Sequence, residues 1–473
     1  MRDPHDGNDV VDGSFLRSAL AADSPVAPLA EFPAWIERQR VSQRLAVTRI
    51  PFAELDQWHF APDPCRLLHR SGKFFVVEGM RVETDYGKNP VWEQPIINQP
   101  EIGILGIVSR VIDGVRHFLL QAKIEPGNIS GVQLVPTVQA TRSNYSLVHG
   151  GRSPTYSEFF LQPGRARVLV DRLFAEQGSR FLRKRNRNVI IDVDEDFPVA
   201  DGFIWLTLGQ VKQLLRIGNL VNMSARSVLS CIPHPLNSAD LAALLAVRDG
   251  FGANLLTSLA ARQGVSTQAE LVDWLFGLRA RYTLRLSQVP LDRLQGWTYT
   301  PDEIRPEVGT HFSVVAVDVA ATGREVARWS QPLLLHPGTG LNGMLVQRMG
   351  GVLHLLVRAC MFPGNDELFQ LGSTVSRANV ADLAGKFAAP PFLDYFIDPP
   401  PGSVRYDALQ SEEGGRFLRY QSRFMVVELP EGERLDLPET FRWMTLSQLS
   451  IFNQFGCVNI EGRNLLACLD FAA

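Results

Sequence analysis

"WEQPIINQP" (residues 92–100) returns as "WSQPLLLHP" (residues 329–337), and the offset of 237 holds without a gap through residue 138. Over that span Gly103, Gly106, Gly114, His117, Ala122, Pro126, Gly127 and Asn128 meet Gly340, Gly343, Gly351, His354, Ala359, Pro363, Gly364 and Asn365. Outside it, "LDQWHFAPD" (55–63) pairs with "LQGWTYTPD" (294–302), "GSRFLR" (178–183) with "GGRFLR" (414–419), and "WLTLGQV" (205–211) with "WMTLSQL" (443–449). So many matches in one order mean a duplication, and a unit of about 200 residues is a domain rather than a solenoid repeat. The copies begin where Trp35 matches Trp274 and end where Cys231 matches Cys468. This divides the chain into a leader (1–30), a first repeat (31–232), a connector (233–269) and a second repeat (270–473). The leader, holding Asp, Gly, Pro and Ser without a signal-peptide core, is expected to be disordered.

Within each copy a helix carrying the Trp comes first. "FFVVEGMRV" and "FSVVAVDVA" are rich in Val and Phe and predict strands. "IGILGIVSRVIDGVRHFLLQAKI" predicts two strands joined at Asp113-Gly114, a strong hairpin signal. "VLVDRLFAEQG" predicts a helix stopped by Gly178. "VIIDVD" predicts a strand, and Thr207 is placed to cap a helix over "LGQVKQLLRIG". In the connector, "NSADLAALLAVRD" has apolar residues at helical spacing, and Thr267 with Glu270 forms a capping-box pattern for the next helix. Mixed strands with a few helices give an α+β fold in two tandem copies.

Hydrophobic content of 45%, charged content of 21% and a net charge of -3 describe a globular protein with ample core and no basic field for nucleic acid. Five scattered cysteines without a CxxC pattern argue against a zinc site and suit a reducing cytoplasm. No apolar run reaches the roughly 18 residues that span a bilayer.

Four segments carry candidate chemistry. "LFAEQG" (173–178) and "LQSEEG" (409–414) are similar to the end of a Nudix box, which sets carboxylates along one helix face for divalent cations. Asp171-Arg172 and Asp407-Ala408 replace its first Arg-Glu pair, so metal-dependent pyrophosphate hydrolysis is not expected. An ordinary amphipathic helix is the plain alternative. "RFLRKRNRN" (180–188) offers Arg180, Arg183, Lys184 and Arg185 either as an anion clamp or as a solvated edge strand. Trp58 and Trp297 sit in Pro-bounded loops, where a ring can stack on a base or simply fill core. Finally, Lys123, Glu125, Thr141, Arg142, Ser143, Asn144, Tyr145 and His149 cluster in the first copy. The second copy keeps the Pro-Gly-Asn scaffold but reads Cys360 for Lys123 and Phe362 for Glu125, and has lost the polar cluster. Groups needed only for packing should persist with their scaffold, so the first copy is expected to do the chemistry.

"EPGNISGVQLVPTVQATRSNYSLVHGG" (125–151), "EQGS" with "KRNRN", and "DALQSEEGGRF" (407–417) resemble the NDP-hexose 2,3-dehydratases of deoxysugar biosynthesis. The resemblance runs from about residue 31 to the end. It implies tandem Nudix-like domains in a homodimer, a dTDP-4-keto-6-deoxyglucose substrate, and loss of water across C2 and C3 without metal or cofactor. A ketoreductase is implied downstream. It also implies thymine stacking on Trp58 and Trp297, a sugar-nucleotide pocket lined by residues 141–145, and substrate contacts from Gln410, Ser411, Glu412, Glu413, Gly414, Gly415 and Arg416. Tyr145, His149, Lys123, Glu125 and Glu176 remain the candidates for acid and base.

Overall fold

The computed structural model describes residues 13–141, 153–234, 236, 238–309, 311–322, 326–380 and 389–472. The polar cluster from Arg142 to Tyr145 and His149 lie outside the described residues.

Among the described residues the strands form two seven-stranded and two six-stranded mixed sheets, the sheets of each size matching strand for strand. In the first half the seven-stranded sheet runs in the order Arg167–Ala175, Arg185–Asp192, Gly103–Ile112, Val115–Lys123, Phe203–Thr207, with two short strands added. Asp113 and Gly114 both have positive φ, 50° and 79°, as the two-residue turn between Gly103–Ile112 and Val115–Lys123 requires. The six-stranded sheets of the two halves share a core in which Leu67, Phe75 and Val77 meet Ile304, Phe312 and Val314. A larger core joins the seven-stranded sheets through the helices Met223–Leu229 and Ile460–Cys468, which pack on each other.

The six-stranded sheets are not built by one half each. Arg44–Ile50 pairs antiparallel with Ser313–Thr322 of the second half, and Leu284–Val289 pairs antiparallel with Val76–Thr84 of the first. The backbone also interlocks. Gly127 N donates to Gly414 O at 2.7 Å, and Gly364 N donates to Gly178 O at 2.6 Å. Each of these contacts has a mate with the halves interchanged, the pattern of a two-fold relation. The tandem duplication is therefore present, but its halves are exchanged rather than strung side by side.

Three expectations are corrected. Residues 167–175 form a strand, not a helix: Arg167–Ala175 pairs with Arg185–Asp192, and its counterpart Val404–Ser411 pairs with Gln421–Leu429. No Nudix-type helix exists there. The leader is ordered from residue 13 onward. Ser14–Leu20 is a helix that buries Phe15, Leu16 and Ala19, and Ser18 Oγ donates to Arg116 O while accepting from Leu208 N. Part of the connector is its copy: in the helix Gly250–Ala260, Ser258 Oγ donates to Leu353 O and accepts from Leu446 N. The repeat unit thus begins before Trp35 and Trp274. The capping boxes at Thr207 and Thr267 form as expected, though the first helix ends at Leu214 rather than Gly218. Among the described residues, no helix is long and apolar enough to cross a membrane.

Candidate active site

One cleft of about 720 Å³ opens where the first half's strands meet the interlocking loops of the second. Its aromatic lining is made by the rings of Trp58, His69, Phe74, Phe75 and Trp329. Its charged lining is made by Lys123, Glu125, Glu176 and Lys184 of the first half, with Glu413 and Arg416 of the second.

The charged lining is held by short-range bonds. Glu125 Oε1 lies 3.5 Å from Lys123 Nζ and accepts from Gln139 Nε2 at 3.2 Å. Glu176 Oε1 accepts from Asn186 Nδ2 at 2.6 Å, and Asn186 Oδ1 in turn accepts from Gly103 N. Lys184 Nζ donates to Glu101 O. Burial pushes the Lys184 ammonium down to about 8, against the opposing pull of Glu176 and with further push from Arg416. Burial pushes the Glu413 carboxyl up to about 7; Arg416 opposes that rise, and Glu125 and Glu176 add to it. Arg416 lies across the Phe75 ring at 4.1 Å and donates to Gln99 Oε1, while its buried Nε has no partner.

The structure brings Trp58, Lys123, Glu125, Thr141, Glu176, Lys184, Glu413, Gly415 and Arg416 to one cleft. It separates others. Arg180 leaves for the second half, where it lies 4.3 Å from the Phe312 centroid and donates to His336. Arg183 and Arg185 pair with Asp366, so only Lys184 of the basic run enters the cleft. Gln410 and Ser411 are buried under Arg226, and Glu412 is buried against Gln177 and Ser422. Gly414 packs on Asn128. Trp297 bonds to Glu93 O in the second half's copy of the Trp58–Ser330 contact. Trp58 itself is 6% exposed, so most of its ring is core, packed on Phe75 and His69. The residues missed from sequence include His69, Phe74, Phe75 and Trp329 among the rings, and Gln139, Asn186 and Ser224 among the polar groups. The comparison of copies could have found these polar groups, since their counterparts are Ser376, Ser422 and Glu461.

At the corresponding place in the second half, the described residues differ in kind. Tyr420 replaces Lys184 and stacks on His336, which replaces Gln99, at 3.9 Å between centroids. Tyr420 OH donates to Ala378 O at 2.8 Å.

Fold and cleft together describe a duplicated α+β protein whose cleft is lined by aromatic rings and by titratable groups from both halves. The chain belongs to the NDP-hexose 2,3-dehydratase family, whose model matches residues 29–232 and again 268–469. It is 46% identical over 458 residues to the dTDP-4-dehydro-6-deoxy-alpha-D-glucopyranose 2,3-dehydratase of Saccharopolyspora spinosa, covering 96% of this chain and 94% of that one. A protein of the same description from Amycolatopsis orientalis is 41% identical over 99% of this chain and 96% of its own length. One from Streptomyces violaceoruber is 38% identical over 94% and 97%.

Proposed function

We propose that this protein is a hydro-lyase that removes water across C2 and C3 of dTDP-4-keto-6-deoxyglucose. The observation carrying this reading is that one cleft joins a buried carboxyl and a buried ammonium, each pushed toward neutrality, from opposite halves of the chain. The C3 proton lies next to the C4 ketone and is acidic enough for a positioned carboxylate. Glu125 is the base in this reading. Glu176 has a counterpart in the second half, Glu412, whereas the counterpart of Glu125 there is Phe362. As the C3–H bond breaks, its proton passes to Glu125 and charge builds on the C4 oxygen, where the Lys184 ammonium stabilises it. The C2–O bond then breaks, and the hydroxyl leaves as water with the proton of Glu413. The resulting enol takes a proton from solvent at C2, gives up the proton of its C3 hydroxyl, and becomes the 3,4-diketo-2,6-dideoxy sugar nucleotide. Arg416 binds the diphosphate, and the aromatic lining takes the base.

Such a dione is reactive, so a 3-ketoreductase should consume it. By its family, the protein works in this reading as a cytoplasmic homodimer in deoxysugar assembly for an antibiotic. The test is incubation with dTDP-4-keto-6-deoxyglucose, a 3-ketoreductase and its reductant in deuterium oxide. The expected product has lost one water and carries deuterium at C2. Recovery of unchanged substrate would overturn the reading, and release of thymidine monophosphate would point to diphosphate cleavage instead.

A further inference from the structure

Behind Glu125 stands a chain of two amides whose orientation is set at its far end. Asn222 is the N-cap of the helix Met223–Leu229, and its Oδ1 accepts from Ala225 N at 2.8 Å. A backbone N–H can only donate, so the Asn222 amide cannot be turned over without losing the cap. Its Nδ2 therefore faces Gln139 and donates to Gln139 Oε1 at 3.2 Å. That contact directs Gln139 Nε2 toward Glu125 Oε1, also at 3.2 Å. Asn222 is 2% exposed and Glu125 is 8% exposed, so water competes little for these groups.

The second half provides an internal control. Asn459 caps its helix in the same way, accepting from Gly462 N at 2.9 Å. Yet Ser376 stands for Gln139 and Phe362 for Glu125, and the Asn459 Nδ2 is buried without a partner. The cap persists where the relay is lost, so capping alone does not call for the relay.

We propose that Gln139 and Asn222 are positioning residues that hold the Glu125 carboxylate oriented and charged for proton abstraction. The proposal rests on Glu125 being the base. A donor to the charged form favours that form, so loss of the Gln139 donor should raise the pH at which Glu125 becomes active. Asn222→Asp keeps the cap acceptor but puts a second acceptor against Gln139, which must then turn its oxygen toward Glu125. Asn222→Ser keeps a cap acceptor in its hydroxyl oxygen but, being shorter, withdraws the amide donor from Gln139.

The experiment is single-turnover dehydration across pH, with melting temperature measured on the same samples. Asn222→Asp should lower the rate roughly tenfold, at unchanged substrate affinity, which is about 1.4 kcal/mol in the transition state. Its acidic limb should move to higher pH, and Asn222→Ser should move it the same way by less. In a Gln139→Leu background, Asn222→Asp should have no further effect on that limb. An unmoved acidic limb in both Asn222 variants, or full additivity with Gln139→Leu, overturns the proposal. Glu125→Gln, run alongside, separates the levels: if it still turns over, the base assignment fails and the relay falls with it.

Discussion

Glu413 shows how one residue can trade stability for chemistry. Its carboxyl is raised to about 7 by burial, with Glu125 and Glu176 adding to the rise. Below about 4.5, the usual glutamate value, it is protonated in both folded and unfolded chains and has no effect on pH dependence. Between there and about 7 the folded chain holds a proton that the unfolded chain has released, so its stabilising share is lost as pH rises. Glu413→Gln should therefore match the parent at pH 4.5 and be the more stable of the two above pH 7. The same variant should lose at least about a hundredfold in turnover, since an amide cannot protonate the leaving hydroxyl. Melting curves at the two pH values and a rate measurement check both halves of this expectation; a variant that stays active removes Glu413 from the role. In the parent, kcat/KM should fall above about pH 7 as Glu413 ionises, and more steeply above about 8 as Lys184 loses its proton. Much of this was legible in the sequence. Comparing the copies separates Lys123 and Glu125 from their scaffold, and the family resemblance points to the segment that holds Glu413 and Arg416. What could not be read was that Glu413 serves the first half's cleft, because that depends on an exchange between halves. Gln139 and Asn222 were hidden for another reason: neutral amides do not stand out until their partners are known.

At the level of elements, the misread stretch is 167–175. Its buried residues are Val170 and Phe174, four apart. A spacing of four falls on one face of a strand and nearly on one face of a helix, so the two periods agree where it matters most. The hairpin at Asp113-Gly114 had no such ambiguity, because its turn chemistry admits few alternatives. The Pro-Gly-Asn turns were legible as shared scaffold, but not for what they do. A Cβ on Gly127 would lie 1.6 Å from Phe417 O, and one on Gly364 would lie 1.8 Å from Phe181 O. Backbone meets backbone there, so neither position can relax by moving a flexible side chain. Gly127→Ala should cost about 3 kcal/mol, the upper end of overpacking, and should also lower activity because Glu125 and Glu413 flank that contact. Gly277 is the contrasting case. It lies within the helix Gln268–Arg281, and a Cβ there would meet nothing within 4 Å. Gly277→Ala should stabilise by up to about 1 kcal/mol. Denaturant midpoints for the two variants should move in opposite directions, and a neutral Gly127→Ala would contradict the interlocked geometry.

For the whole molecule, the exchange decides what can fold alone. A fragment ending at residue 232 would keep the strand Arg44–Ile50 but lose its partner, Ser313–Thr322. It would also leave Val76–Thr84 without Leu284–Val289. Its six-stranded sheet would expose the face that now packs on Phe312 and Val314. Arg226, 0% exposed, would lose Asn464, Gln410 and the carbonyl of Ser411, and the apolar surface around it would be opened to water. Apolar burial is the main term behind the roughly 5–15 kcal/mol that holds a domain folded, so this loss is large on that scale. The fragment is thus expected to be insoluble, or to associate by donating its own strand to a second copy. A break between residues 249 and 250 is different. It falls between the helices Ser238–Leu245 and Gly250–Ala260 and cuts no strand pairing. The two pieces, expressed together, should assemble into one active unit, and the intact chain should unfold in urea in a single transition seen alike by tryptophan fluorescence and circular dichroism. A monomeric 1–232 fragment with its own cooperative transition would show that the halves are separable domains after all. The exchange would then be a feature of packing, and Glu413 could be removed from the first half's cleft without unfolding it.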